Sequence, residues 1–145
     1  AMARHPLHRA VRIDKLTIAS LNATLSLLST GDFQEIPVLR MISQDIATVR
    51  ARARRFRRLL EVKAEVIATQ AVIGGGSAPT KTFGSCGVAV ACDRGQAPRL
   101  HERLRREGVV CRIEEERLIF DLRTVSDQEV RPLAEKVNEV VGHGT

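Results

Sequence analysis

Tryptophan and tyrosine are both absent, and four phenylalanines make up the whole aromatic content, 3% of 145 residues. The core must therefore be aliphatic, built from Leu, Ile, Val and Ala, with phenylalanine as its only large anchors. The same scarcity removes the stacking platforms that read single-stranded bases. The three cysteines (Cys86, Cys92 and Cys111) form no C-x-x-C pair and stand in no zinc-like spacing with histidine. An odd count inside apolar runs excludes a disulfide framework and reads as reduced, buried thiols, as expected of a cytoplasmic protein. No apolar run reaches the ~18 residues of a membrane span. The start, Ala1-Met2-Ala3-Arg4-His5-Pro6, has no signal-peptide apolar region. Nor is there a Ser-His-Asp set or a carboxylate pair with a pocket around it: His5, His8, His101 and His143 are scattered.

What the chain does have is positive charge. Lys and Arg number 23 against 17 Asp and Glu, giving a net charge of +6 and a pI near 10.0. That balance favours an anionic partner such as RNA or a phosphorylated ligand. The length suits one core of modest size.

Periodicity places the elements. Ile18, Leu21, Leu25 and Leu28 recur at helical steps, predicting a helix from about Ile13 to Ser29 that Gly31-Asp32 stops. Ile36-Pro37-Val38-Leu39 reads as a packed turn or a single helical turn. A second long helix is expected from about Ser43 to Lys63, with Ser43 as N-cap and Ile46, Val49, Ala53, Phe56 and Leu60 as its apolar stripe. The period then changes to that of strands over Val66–Ile73 and Gly87–Cys92. The small residues Gly87, Ala89 and Ala91 suggest a face that a helix approaches closely. A helix over Arg99–Glu107, anchored by Leu100 and Leu104, has Pro98 at its start and Gly108 past its end. Val109–Ile113 and Arg117–Leu122 read as a hairpin whose Glu114-Glu115-Glu116 link lacks the glycine a tight turn prefers. Ser126-Asp127-Gln128-Glu129 is a capping box before a helix carrying Val130, Leu133, Ala134, Val137 and Val141. The expected class is α+β: a small, mostly antiparallel sheet with helices packed on one side, preceded by two long helices. The expected division is a linking helical segment over 1–42 and an α+β domain over 43–145.

Four groups of residues could carry chemistry. Arg9 and Arg12 lie three apart, so on a helical turn two guanidinium forks share a face and could clamp an oxyanion, or belong to a solvated basic segment that Asp14 partly neutralises. Gly74-Gly75-Gly76-Ser77 after a strand could turn several N–H groups toward an anion, or form a flexible loop. Arg50, Arg54, Arg57 and Arg58 on the second helix could meet RNA phosphates, or simply be a solvated face. Arg112 alternates with buried strand positions and is expected to pair with Asp121 across the hairpin.

Taken in order, these segments resemble one family. His5-Pro6-Leu7-x-Arg9-Ala10-x-Arg12-x-Asp14-Lys15-Leu16-Thr17, Leu21-x-Ala23-Thr24-Leu25 and Glu35-Ile36-Pro37-Val38-Leu39-Arg40-Met41 are similar to blocks of bacterial selenocysteine synthases. So are Gly74-Gly75-Gly76-Ser77-x-Pro79, and Arg112-Ile113-Glu114 with Arg117-Leu118-x-x-Asp121-Leu122-Arg123-Thr124-Val125. The resemblance implies the carboxy-terminal portion of a fold-type I pyridoxal-phosphate enzyme, a homo-oligomer when full-length. Such an enzyme turns seryl-tRNA(Sec) into selenocysteinyl-tRNA(Sec) with selenophosphate as donor. It implies that Arg9 and Arg12 bind the donor's oxyanion and that Gly74–Ser77 lies near the active site. In that family the cofactor lysine precedes the His-Pro-Leu block; Lys15 belongs to the Arg-x-Asp-Lys motif instead. This chain alone is thus expected to bind no pyridoxal phosphate and to be inactive. The family's Asp-Gly turn is replaced by Glu115-Glu116, which suggests a looser hairpin. Three other readings stand beside it: a basic RNA-binding module, an oligomerisation module, and a fragment of a related pyridoxal-phosphate lyase.

Overall fold

The computed structural model describes residues 12–73 and 82–142. It divides into two compact units, one ending at Arg40 and one beginning at Met41.

The first unit is dominated by α1 (Lys15–Thr30). Asp14 is its N-cap: its carboxylate accepts from the Leu16 and Thr17 amides at 2.8 and 3.0 Å, and from the Thr17 hydroxyl at 2.7 Å. These bonds, the Thr17 hydroxyl first, hold the Asp14 carboxyl below its ordinary pKa. The helix stops at Gly31, whose φ of 82° is the left-handed conformation glycine adopts without steric cost. The predicted stripe of Ile18, Leu21, Leu25 and Leu28 is exposed. A short 3₁₀ turn (Phe33–Glu35) follows. Pro37, suited to a first helical position by its missing N–H, then opens α2 (Pro37–Ser43), longer than the single turn expected.

The second unit starts its main helix later than the sequence suggests. Ser43 closes α2, and Asp45 is the N-cap of α3 (Ile46–Leu59), accepting from the Ala47 amide at 3.0 Å. The apolar period continues across the break at Gln44-Asp45, so periodicity alone does not mark the boundary. Val49, Ala53, Phe56 and Leu60 are buried as expected, whereas Ile46 is exposed.

Four antiparallel strands form one sheet in the order β1-β2-β4-β3: β1 (Ala64–Val72), β2 (Thr82–Ala91), β3 (Arg112–Glu114) and β4 (Arg117–Asp121). The α+β expectation holds. Helices α3, α4 (Ala97–Arg106) and α5 (Val130–Gly142) share one core with a single face of the sheet. The sheet contributes Cys86, Val88, Val90, Leu118 and Phe120; α4 contributes Leu100 and Leu104; α5 contributes Val130, Ala134, Val137 and Val140. Phe56 meets Phe120 edge to face, with centroids 5.7 Å apart. Each such large side chain contributes about 1.5–3 kcal/mol by leaving water.

The alternation on β2 runs opposite to the close-approach expectation. Cys86, Val88 and Val90 face the helices, so Gly87 and Ala89 face away from them. Gly87 is needed for a different contact: a Cβ there would stand 2.6 Å from the Phe120 carbonyl oxygen and 3.0 Å from the Thr69 methyl. The close neighbours are strands, not a helix. β2 also starts at Thr82, five residues before the apolar run that announced it, while β3 is only three residues long.

The β3–β4 hairpin is tight, contrary to expectation. Arg112, Ile113 and Glu114 pair with Ile119, Leu118 and Arg117, which leaves a two-residue turn. Glu115 and Glu116 hold φ of 49° and 60°, conformations that favour Asn and Gly. Glu116 is retained by accepting from the Gly95 amide at 2.9 Å, and Glu115 by an exposed pair with Arg117 at 3.2 Å. Exposed pairs of that kind contribute little. Replacing Glu115 with Asn should therefore raise unfolding stability by about 0.5–1 kcal/mol in urea titration, whereas a Glu115→Val change should lower it.

Candidate functional site

Of the proposed oxyanion clamp, Arg12 is described and exposed, two residues before the α1 N-cap, while Arg9 lies outside the described residues. The Asp14 carboxylate makes its hydrogen bonds to the first turn of α1. Gly74, Gly75, Gly76 and Ser77 also lie outside the described residues.

The arginine-rich helix divides by role. Arg52 is buried, not solvated: its Nε donates to Asp127 at 2.8 Å, and one terminal nitrogen donates to Gln44 Oε1 at 2.8 Å and the Leu122 carbonyl at 3.0 Å. Arg57 is half-buried and donates to the Ala64 carbonyl. Burial pushes the Cys86 thiol above its ordinary value, opposed by the nearby positive charges of Arg50 and Arg54. Arg50, Arg54 and Arg58 are exposed.

Arg112 does not pair with Asp121. Its strand partner is Ile119, its ionic partner is Glu114 at 3.6 Å, and it reaches the Gln70 carbonyl at 3.5 Å. Asp121 is engaged elsewhere. It accepts from the Thr69 and Ser85 hydroxyls, both at 2.6 Å, and from the Arg123 amide at 3.0 Å. Arg112 also lines a cleft of about 210 Å³ with Val72, Val110, Ile119, Asp121 and Thr124.

Sequence reasoning named Arg123 only within a motif, yet it is the most engaged cation of the second unit. It is 6% exposed. One terminal nitrogen donates to the carbonyls of Met41, Ile42 and Gln44 at 3.0, 3.4 and 3.0 Å, and the other to Gly84 at 2.6 Å. Its Nε has no acceptor among the described residues. A signal existed: an arginine directly after a buried strand, between Leu122 and Val125, is costly unless it is paired.

Cysteine chemistry is disfavoured. Burial raises all three thiols, Cys111 to about 11, so none is a ready thiolate. No cluster of three metal-ligating side chains occurs among the described residues, and no helix among them is long and apolar enough to cross a membrane.

Residues 1–126 match the sequence signature of the L-seryl-tRNA selenium transferases. The chain belongs to that family. It is 38% identical over 144 residues to the L-seryl-tRNA(Sec) selenium transferase of Aquifex aeolicus, covering 95% of this chain and 32% of that protein. It is 40% identical over 148 residues to the enzyme of the same name from Hyphomonas neptunium, and 33% over 140 residues to that of Wolinella succinogenes. These matches cover 97% and 96% of this chain. The chain spans about a third of the length of these curated relatives. In this selenium transferase family member the matched region takes in α1, the whole sheet and the Asp121–Arg123 network.

Replacing Arg123 with Lys should destabilise the second unit by about 2–4 kcal/mol, because one ammonium cannot reach the carbonyls of both Gly84 and residues 41–44. Chemical denaturation measures this, and stability equal to wild type would refute the fork's role. Asp127 supplies a pH signature. The Arg52 hydrogen bond holds its carboxyl below the ordinary 3.8, so its contribution is complete above that value and is lost as pH falls through the lowered one. Asp127 is mostly exposed, so Asp127→Ala should cost only about 1 kcal/mol at pH 7, and the gap from wild type should narrow as pH falls below 3.8.

Proposed function

We propose that this chain is part of a pyridoxal-phosphate-dependent selenium transferase that converts seryl-tRNA(Sec) to selenocysteinyl-tRNA(Sec) with selenophosphate. The observation that carries the reading is the family match over residues 1–126, which contains the Arg9–Arg12 block.

The cofactor, when bound, supplies the electron sink for the seryl group. The described residues do not fit a cradle for it. Lys15 is exposed at the start of α1, Lys63 is exposed, Lys136 donates to the Glu107 carbonyl, and Lys81 lies outside the described residues. The reaction therefore needs residues beyond these, and we infer no transfer activity from this chain alone.

The chain's own part is recognition. Arg9 and Arg12 hold the oxyanion of selenophosphate through charge-assisted, fork-shaped hydrogen bonds. Arg12 is exposed, and the Asp14 carboxylate hydrogen-bonds the first turn of α1, which leaves the Arg12 fork free of that partner. Gly74, Gly75, Gly76 and Ser77 are the active-site loop that the family resemblance implies. Arg50, Arg54, Arg57 and Arg58 give a basic face to the tRNA, with Arg57 the least available because of Ala64.

In the full-length protein, Arg9→Ala and Arg12→Ala should each raise the KM for selenophosphate about tenfold to a hundredfold, the loss of one charge-assisted contact. Binding of seryl-tRNA should be unchanged. An unaltered selenophosphate KM in both variants would remove the clamp from the proposal.

A further inference from the structure

We propose that the arginine row on α4 is a docking surface for the phosphate backbone of a structured RNA; this rests on the tRNA reading above and adds a second surface to it. Arg99, Arg103 and Arg106 recur at steps of four and three, so they share one face of α4. They span about 10 Å of helix axis, enough to meet more than one phosphate along a strand. Ala97, Leu100 and Leu104 are buried on the other side, so the guanidinium groups project from a fixed base.

The fold does not account for the row. The side chains of Arg99, Arg103 and Arg105 make no hydrogen bond or ion pair among the described residues. Only Arg106 is paired, with Glu102 at 2.5 Å, and both are largely exposed. Arg103, Arg105 and Arg106 suit the negative end of the helix dipole, but Arg99 sits in the first turn, where a cation is unfavourable. On α3, by contrast, Arg52 and Arg57 are engaged by Asp127 and the Ala64 carbonyl, while Arg54, Arg55 and Arg58 are exposed.

Charge alone would also attract an acidic protein. A protein interface needs apolar anchors at its centre, and none of the large exposed hydrophobic side chains lies on α4. Phosphates need only the forks.

Fluorescence anisotropy of this chain with an unacylated bacterial tRNA, at salt from 50 to 200 mM, tests the proposal. Arg99→Ala/Arg103→Ala should flatten the slope of log affinity against log salt by about 1.8 and weaken binding at 50 mM about tenfold or more. Glu102→Gln, which releases Arg106, should steepen the slope by about 0.9. Circular dichroism should show both variants folded, since Arg99 and Glu102 are exposed and Arg103, though half-buried, has no side-chain partner among the described residues. No wild-type binding at 50 mM, an unchanged slope in the double variant, or equal displacement of the tRNA by polyglutamate at matched charge overturns the proposal. Loss of selenium transfer by the full-length protein with these slopes intact would sink the enzymatic reading alone.

Discussion

A buried guanidinium organises the second unit. Arg123 gathers carbonyls from residues 41–44 and from Gly84 on β2. Two residues earlier, Asp121 gathers the hydroxyls of Thr69 on β1 and Ser85 on β2. One short stretch of chain leaving β4 thus holds two strands and the segment leading into α3. Apolar side chains could have filled that space with less desolvation, but they would not have fixed which carbonyl meets which donor. Arg52 repeats the device on the adjoining side, joining α3 to Gln44, Leu122 and Asp127.

Given that frame, the core can be plain. Aliphatic side chains of α3, α4 and α5 close over one face of the sheet, with Phe56 and Phe120 as the large anchors. The polar network occupies the strand ends and the opposite face, where Gly87 lets β2 come close to Phe120 and Thr69. Arg52, Arg57 and Arg123 have fold duties, whereas Arg99, Arg103 and Arg105 of α4 have no side-chain partner among the described residues. That contrast separates arginines that make the structure from arginines left for a partner.

Much of the second unit was legible in the sequence. The stripes Val49–Ala53–Phe56–Leu60 and Leu100–Leu104 are buried as read, and Glu129 reaches back to accept from the Ser126 amide at 2.7 Å, one half of the box. Local patterns decide such features because the interacting residues are one or two turns apart. Element ends were less legible. The gap between α2 and α3 breaks no apolar period, and the first half of β2 carries Gly84 and Ser85 rather than a hydrophobic run.

The candidate site was legible in motif and not in geometry. Arg9 and Arg12, three apart, and the ordered blocks from His5 to Val125 are properties of the chain itself, and so is membership of the selenium transferase family. The sequence by itself determined the aliphatic core, the excess of arginine and the helical faces on which arginine recurs. Tertiary structure alone decided that Arg52 and Arg123 are buried, that Asp121 turns to Thr69 and Ser85 instead of Arg112, and that Glu115-Glu116 close a tight turn. The physical reason is separation. The partners of Arg123 lie 39 to 82 positions away along the chain, and no local pattern reports which distant carbonyls a fold will bring within 3 Å of a guanidinium.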